Sequence, residues 1–133
     1  MNPQTVSTAF KTALANWSVA NGVQVYDYVP DSQNPPCVCV YPEAIPYDFS
    51  ANCTWILWLL SGKVEEQGAQ ARMLGWIADT GPTSIIAALD ANHSLTGTVS
   101  STLPLELRGY GAAPVTAGGT PYMQARLVYH VLR

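Results

Sequence analysis

Charge is what this sequence has least of. Asp, Glu, Lys and Arg together make up 11% of the 133 residues, against roughly 25% in ordinary soluble domains. The surface must therefore be finished with Ser, Thr, Asn, Gln, Gly and Pro, and a surface so poor in charge is easily buried against another protein. The six Lys and Arg are scattered and outnumbered by nine carboxylates, for a net charge of -3. A basic stripe able to track phosphates is missing, which argues against direct nucleic-acid binding.

Long apolar runs are scarce as well. The stretch TWILWLLSG holds six consecutive large apolar residues, Trp55 to Leu60, whereas a membrane-spanning helix needs about 20. Residues 1–22 lack a basic segment leading into an unbroken apolar run, and Lys11 sits in their middle. A secretory leader is therefore not expected, and the chain is placed in the cytoplasm when it is made. Cysteines number three and histidines two. As strand residues Cys37 and Cys39 point to one face, too close in sequence for an easy mutual disulfide, so buried reduced thiols are expected. A metal site would want further Cys or His at ligand spacing, and His93 and His130 supply none.

What is present reads as one domain over 1–133, with no linker, repeat or low-complexity tract. In residues 2–20, Val6, Phe10, Ala13, Leu14 and Trp17 fall at helical spacing behind a candidate N-cap, Asn2, and a fitting first-turn residue, Pro3. One helix of about five turns is predicted, stopped by Asn21 and Gly22. The segment VQVYDYVP supplies strand formers, and DSQNPP is a loop because Pro30, Pro35 and Pro36 forbid regular structure. A short strand resumes over 37–41 and ends at Pro42; residues 43–52 suit an exposed arm or irregular edge.

As a strand, TWILWLLSG sends Trp55, Leu57 and Leu59 one way and Ile56, Trp58 and Leu60 the other, so both faces must be covered. Either a neighbouring subunit covers one of them, or the first helix lies on one face and a second helix on the other. Residues 63–81 set Ala69, Met73, Trp76 and Ile77 on one helical face, with Glu65 and Glu66 early, where the helix dipole favours acids. TSIIAALDA continues as a short helix with Ile85, Ile86 and Leu89 on one side. In TLPLELRGY, Leu103, Leu105 and Leu107 alternate with polar residues, a one-sided strand that Pro104 marks as edge or bulged. PYMQARLVYHVL answers it with Met123, Ala125, Leu127, Tyr129 and Val131 on one face, and GAAPVTAGGT between them is a long hairpin loop. The expected fold class is α+β, a mostly antiparallel four- to five-stranded sheet packed against an N-terminal helix and a central helix pair.

Chemistry is not advertised. His93 lies in a turn context and His130 on the strand face opposite Tyr129, neither beside a Ser or Cys nucleophile motif. GYGAAPVTAGG lacks dinucleotide-binding spacing, and no Lys precedes a Ser or Thr in a phosphate-loop pattern. Glu65 and Glu66 are adjacent and point apart on a helix, a solvated turn rather than an acid-base pair. No catalytic residue, cofactor or metal is assigned. An interaction protein remains, and homo-oligomers commonly use such surfaces.

The order of an N-terminal helix, VQVYDYVPDSQNPP, YPEAIPYDF, a long apolar strand running into SGKVEEQGAQARMLGWI, TSIIAALDANHSLTG, and a strand pair around YGAAPVTAGGTPYMQARLVYHV resembles the tail terminator (tail-completion) proteins of siphovirus-type phages of actinobacteria. The likeness spans nearly the whole chain and lies in the order of its motifs. It implies a non-enzymatic virion subunit forming a hexameric ring at the head-proximal end of the tail tube. That ring ends tube polymerisation and joins the tube protein to the head-tail connector or stopper, with DNA sliding through its channel unbound; the acidic balance suits such a channel. Other neck proteins, head-completion or stopper subunits, share this size of domain, and a small hydrolase using His93 or His130 is the reading from another class. On loop position and composition, Asp31, Asn34, Pro35 and Pro36, with Glu43, Tyr47 and Asp48 of the arm 43–49, are candidates to contact the tube or the next subunit. Val115, Gly118 and Gly119 at the tip 115–120 are candidates to contact another neck component, and Trp58 is a candidate interface residue on the doubly apolar strand.

Overall fold

Asn2 opens the first helix as its residue type requires: its Oδ1 accepts from the backbone N–H of Gln4 at 2.9 Å and of Thr5 at 3.4 Å, with Pro3 in the first turn. In the computed structural model, which describes residues 2–47, 52–64, 66–112 and 121–132, the predicted single helix is two, α1 (Pro3–Ala13) and α2 (Ala15–Asn21). They meet at Leu14, which leaves helical geometry at φ -92° and ψ 3°. Leu14 is fully buried, and Trp17 beyond it reaches the turn between the third and fourth helices, where its indole N–H donates to the Thr83 carbonyl at 2.9 Å. Gly22 ends α2 in the left-handed region at φ 64°, where a residue without Cβ is free of strain.

Then follow β1 (Gln24–Tyr26), β2 (Cys37–Ala44), β3 (Asn52–Lys63), α3 (Gln67–Ile77), α4 (Ile85–Asp90), β4 (Ser101–Ala112) and β5 (Tyr122–Leu132). The strands form one five-stranded sheet in the order β1-β2-β3-β5-β4, so β3 is its middle strand. β1 and β2 run parallel and the other three pairings are antiparallel, giving a mixed but mostly antiparallel α+β fold. Pro42 does not end β2. It pairs in register with Trp55, with a bulge before Ala44; β1 stops at Cys39, so this part of β2 is an edge, where a missing N–H costs no ladder bond.

Every helix packs on the same face of the sheet. Val6 and Phe10 of α1, Trp17 of α2, Met73 and Trp76 of α3, and Ile85 and Leu89 of α4 join Trp55, Leu57, Leu59, Leu127 and Tyr129 in one core. Aromatic contacts tie the layers: Trp17 meets Trp76 edge-on at 5.6 Å, Phe10 meets Tyr129 at 5.9 Å, and the Trp55 indole donates to Ser7 Oγ at 3.0 Å. The alternative with one helix on each face is thereby overturned. α3 carries Ala69, Met73 and Trp76 inward as its spacing predicts, but begins after Glu66, which is its N-cap; Glu65 lies outside the described residues. Ser84 caps α4, its Oγ accepting from Ala87 N–H at 3.0 Å. On β5 the five residues expected to face the core do so.

β4 departs most from expectation. Its leucines do not form one inward face: a bulge between Pro104 and Glu106 puts Leu105 outside the register, so Leu103 pairs with His130 and faces away from the helices while Leu107 pairs with Leu127 and faces them. Residues 103–110 are all exposed. No helix among the described residues is long and apolar enough to cross a membrane.

Candidate interaction surface

The face of the sheet that carries no helix is built from alternate residues of β2, β3 and β5. Cys37, Cys39 and Leu60 form a small buried cluster there, with Tyr26, Trp58 and Tyr122 packed half-buried against it. Both thiols point to this face, as their spacing predicts, and all three cysteines are free and buried. The hydrogen bond between them, together with burial, pushes the Cys39 thiol above its ordinary range. Trp58 is held by its own chain: its indole N–H donates to Gln124 Oε1 at 2.8 Å, and the Arg126 guanidinium lies over its ring at 5.2 Å.

An ion pair crosses this face. Arg108 on β4 meets Glu43 at the end of β2 at 2.8 Å, and also Glu106 at 2.6 Å. β3 and β5 lie between those strands, and three strand spacings are ~14 Å, so the sheet curls to bring the two side chains together. Ile56 and Val128 pair in the middle of that span and are 2% and 1% exposed with no helix above them. The pair is itself solvated, so it shapes the face more than it stabilises the fold.

The loop 31–36 leads directly into β2. Gln33 Nε2 donates to the Pro30 carbonyl at 2.7 Å, and the Pro36 carbonyl accepts from Gln24 N–H at 3.2 Å, which ties the loop to the start of β1. Asn34, Pro35 and Pro36 line a cleft of about 170 Å³ with Lys63, Arg72 and Tyr122. Arg72 is anchored there by its hydrogen bond to the Ser61 carbonyl. Asp31 is exposed beside this group but does not line the cleft. Glu43 sits across the sheet in the ion pair, and Tyr47 stands exposed beyond the end of β2. Asp48, Val115, Gly118 and Gly119 lie outside the described residues. The structure thus gathers Asn34, Pro35 and Pro36 at one end of the sheet and keeps Glu43 and Tyr47 apart from them.

His93 is exposed, its carbonyl accepting from Thr102 Oγ1 at 2.9 Å. His130 stands on the helix-free face across from Thr54, and neither its Nε2 nor Thr54 Oγ1 has a hydrogen-bond partner. Among the described residues no three His, Cys, Asp or Glu gather as a metal site would need.

Two surface features were at most partly marked in the sequence. Leu103, Leu105, Leu107 and Tyr110 stand 50%, 53%, 38% and 45% exposed on a strand whose outer edge is open. At the opposite edge of the sheet, a groove of about 240 Å³ runs between β1 and the helices, lined by Lys11, Ala15, Val19 and Val25. Pro104 marked β4 as an edge or bulged strand, and it is both; that its leucines would stand exposed was not read, although Gly109 and Gly111 carry a further bulge signal. The chain matches no family model and no curated protein sequence.

Proposed function

We propose that this chain is a structural virion subunit that forms a ring at the head-proximal end of a phage tail tube, ends tube polymerisation and offers the head-tail joining surface. The observation that carries the reading toward assembly is the row of exposed apolar residues on β4, which a free-standing domain this poor in charge has no reason to keep. The order of motifs along the chain supports the tail terminator over other assembly subunits, with head-completion or stopper protein as the second reading. In this role the helix layer gives rigidity, and the loop 31–36 and the arm 43–49 contact the tube or a neighbour. The partners are further copies of the chain, the tube protein and the connector or stopper; DNA passes through without specific contacts. The chain acts in the virion neck, having been made in the host cytoplasm, by steric blocking rather than catalysis.

Adding the purified protein to growing tail tubes tests this directly. Tubes that stop at a fixed length and carry a density cap at one end by negative-stain imaging are the expected result. Tubes that grow on without caps would sink the reading. A hydrolase activity lost on changing His93 or His130 would replace it with the enzymatic alternative.

A further inference from the structure

Among the described residues the sheet ends on two open edges that are unlike each other. At one, β4 exposes Leu103, Leu105 and Leu107. At the other, β1 offers only Gln24–Tyr26, and beside it on the helix-covered side lies the groove lined by Ala15, Val19 and Val25, with Val19 85% exposed. We propose that the β4 edge of one copy docks on the β1 edge and groove of the next copy, so that sheets join head to tail.

Strand direction favours this. β1 and β2 are parallel and each later neighbour is antiparallel, so β4 runs antiparallel to β1 within the chain. A second copy placed edge to edge, with its helices on the same side, therefore presents β1 antiparallel to β4, the slightly more stable pairing. Side-chain alternation agrees. Val25 pairs with Val38 and Leu107 with Leu127, and both partners are core residues of the helix-covered face. With Leu107 opposite Val25 of the next copy, Leu107 enters the groove, while Glu106 and Arg108 lie beside Tyr26 and Gln24 on the bare face.

Length matches as well. Bulges between Pro104 and Glu106 and between Arg108 and Gly111 leave 106–108 as the regular piece between them, three residues facing a three-residue β1. Pro104 and the bulges bar longer pairing, the usual protection of an exposed edge. The occupant is a second copy because both halves of the contact belong to this chain and sit at opposite ends of one sheet, where a single molecule cannot join them. Contacts between two different patches repeat around a ring or along a filament; that they close into a ring rests on the proposed function.

The test is sedimentation of wild type, Leu107→Asp and Val19→Glu, alone and mixed, over a concentration series. Wild type is expected to self-associate. Each variant alone should lose at least tenfold in affinity, and an equimolar mixture should form a complex that stops at two chains, because only one intact edge can meet one intact groove. Leu107→Thr replaces the aspartate variant if that one lacks the wild-type circular dichroism. A wild type that stays monomeric throughout overturns the proposal. So does a Val19→Glu chain that associates like wild type, which would mean that two β4 edges pair, and so does a mixture that fails to combine. Tube capping is scored separately: capping without edge pairing removes only this contact, and pairing without capping removes only the terminator reading.

Discussion

β3 and β4 are both twelve-residue strands rich in large apolar side chains, and the fold treats them oppositely. β3 is the middle strand, with Trp55, Leu57 and Leu59 under the helices and Ile56 and Leu60 buried on the far face. β4 is the last strand, and from 103 to 110 it is exposed. The difference is one of position and register, not composition. A strand with neighbours on both sides, helices on one face and a curled sheet on the other loses most of its water. The same residue types at an open edge, split by two bulges, keep it. An apolar strand therefore marks a core only where the topology can surround it.

The largest expected effect lies on β3. Trp55→Ala should cost ~3–5 kcal/mol, the range for truncating a buried aromatic, since it also removes the bond to Ser7; the shift in urea midpoint measures it. A loss below 1 kcal/mol would erase the contrast with β4. Next comes the helix layer that covers β3. A Cβ on Gly75 would sit 2.6 Å from Thr83 Oγ1, so Gly75→Ala should destabilise by about 1–3 kcal/mol although alanine is the better helix former. Adding Thr83→Ala should recover most of that, and thermal melts of the two variants decide it.

A smaller effect, of opposite sign, belongs to β5, which stands between the two strands. The Tyr129 hydroxyl is buried with no hydrogen-bond partner, so Tyr129→Phe should gain about 1 kcal/mol. Burial and the nearby Asp90 raise the pKa of that phenol. The folded state therefore holds its proton longer than the unfolded chain, and stability falls as pH climbs past about 10. The phenylalanine variant should show a shallower alkaline loss. Smallest is Leu105→Ser on β4, expected to stay within ~0.5 kcal/mol of wild type. A cost near that of Trp55→Ala would show that Leu105 is packed and that the β4 row is no docking surface.

Legibility followed the range of the forces involved. Asn2, Pro3, the stripe Val6, Phe10, Trp17 and the stripe Ile85, Leu89 act within a turn or two, and helices stand where they place them. The doubly apolar run of β3 also declared a strand covered on both faces. What distant neighbours decide was hidden. The break at Leu14 comes from packing in the core, the passage of β2 through Pro42 from the early end of β1, and the placement of all helices on one face from chain crossings that no local pattern records. The candidate surface shows the same division. That 31–36 is a loop could be read from its prolines, but not that Asn34 would share a cleft with Lys63 and Arg72, and the groove at β1 needed α2 and β1 side by side.

The position of β5 also governs how the protein can be made. Lys63 pairs with Tyr122 and Asn52 with Leu132, so the strand formed last along the chain slots between β3 and β4. Until it emerges from the ribosome, β3 has its β2 partner on one side only. Such long-range closure is slow and leaves apolar edges open meanwhile. Translation must therefore pass Leu132 before the central strand is paired on both sides. A chain cut short after β4 should aggregate rather than fold into a smaller domain.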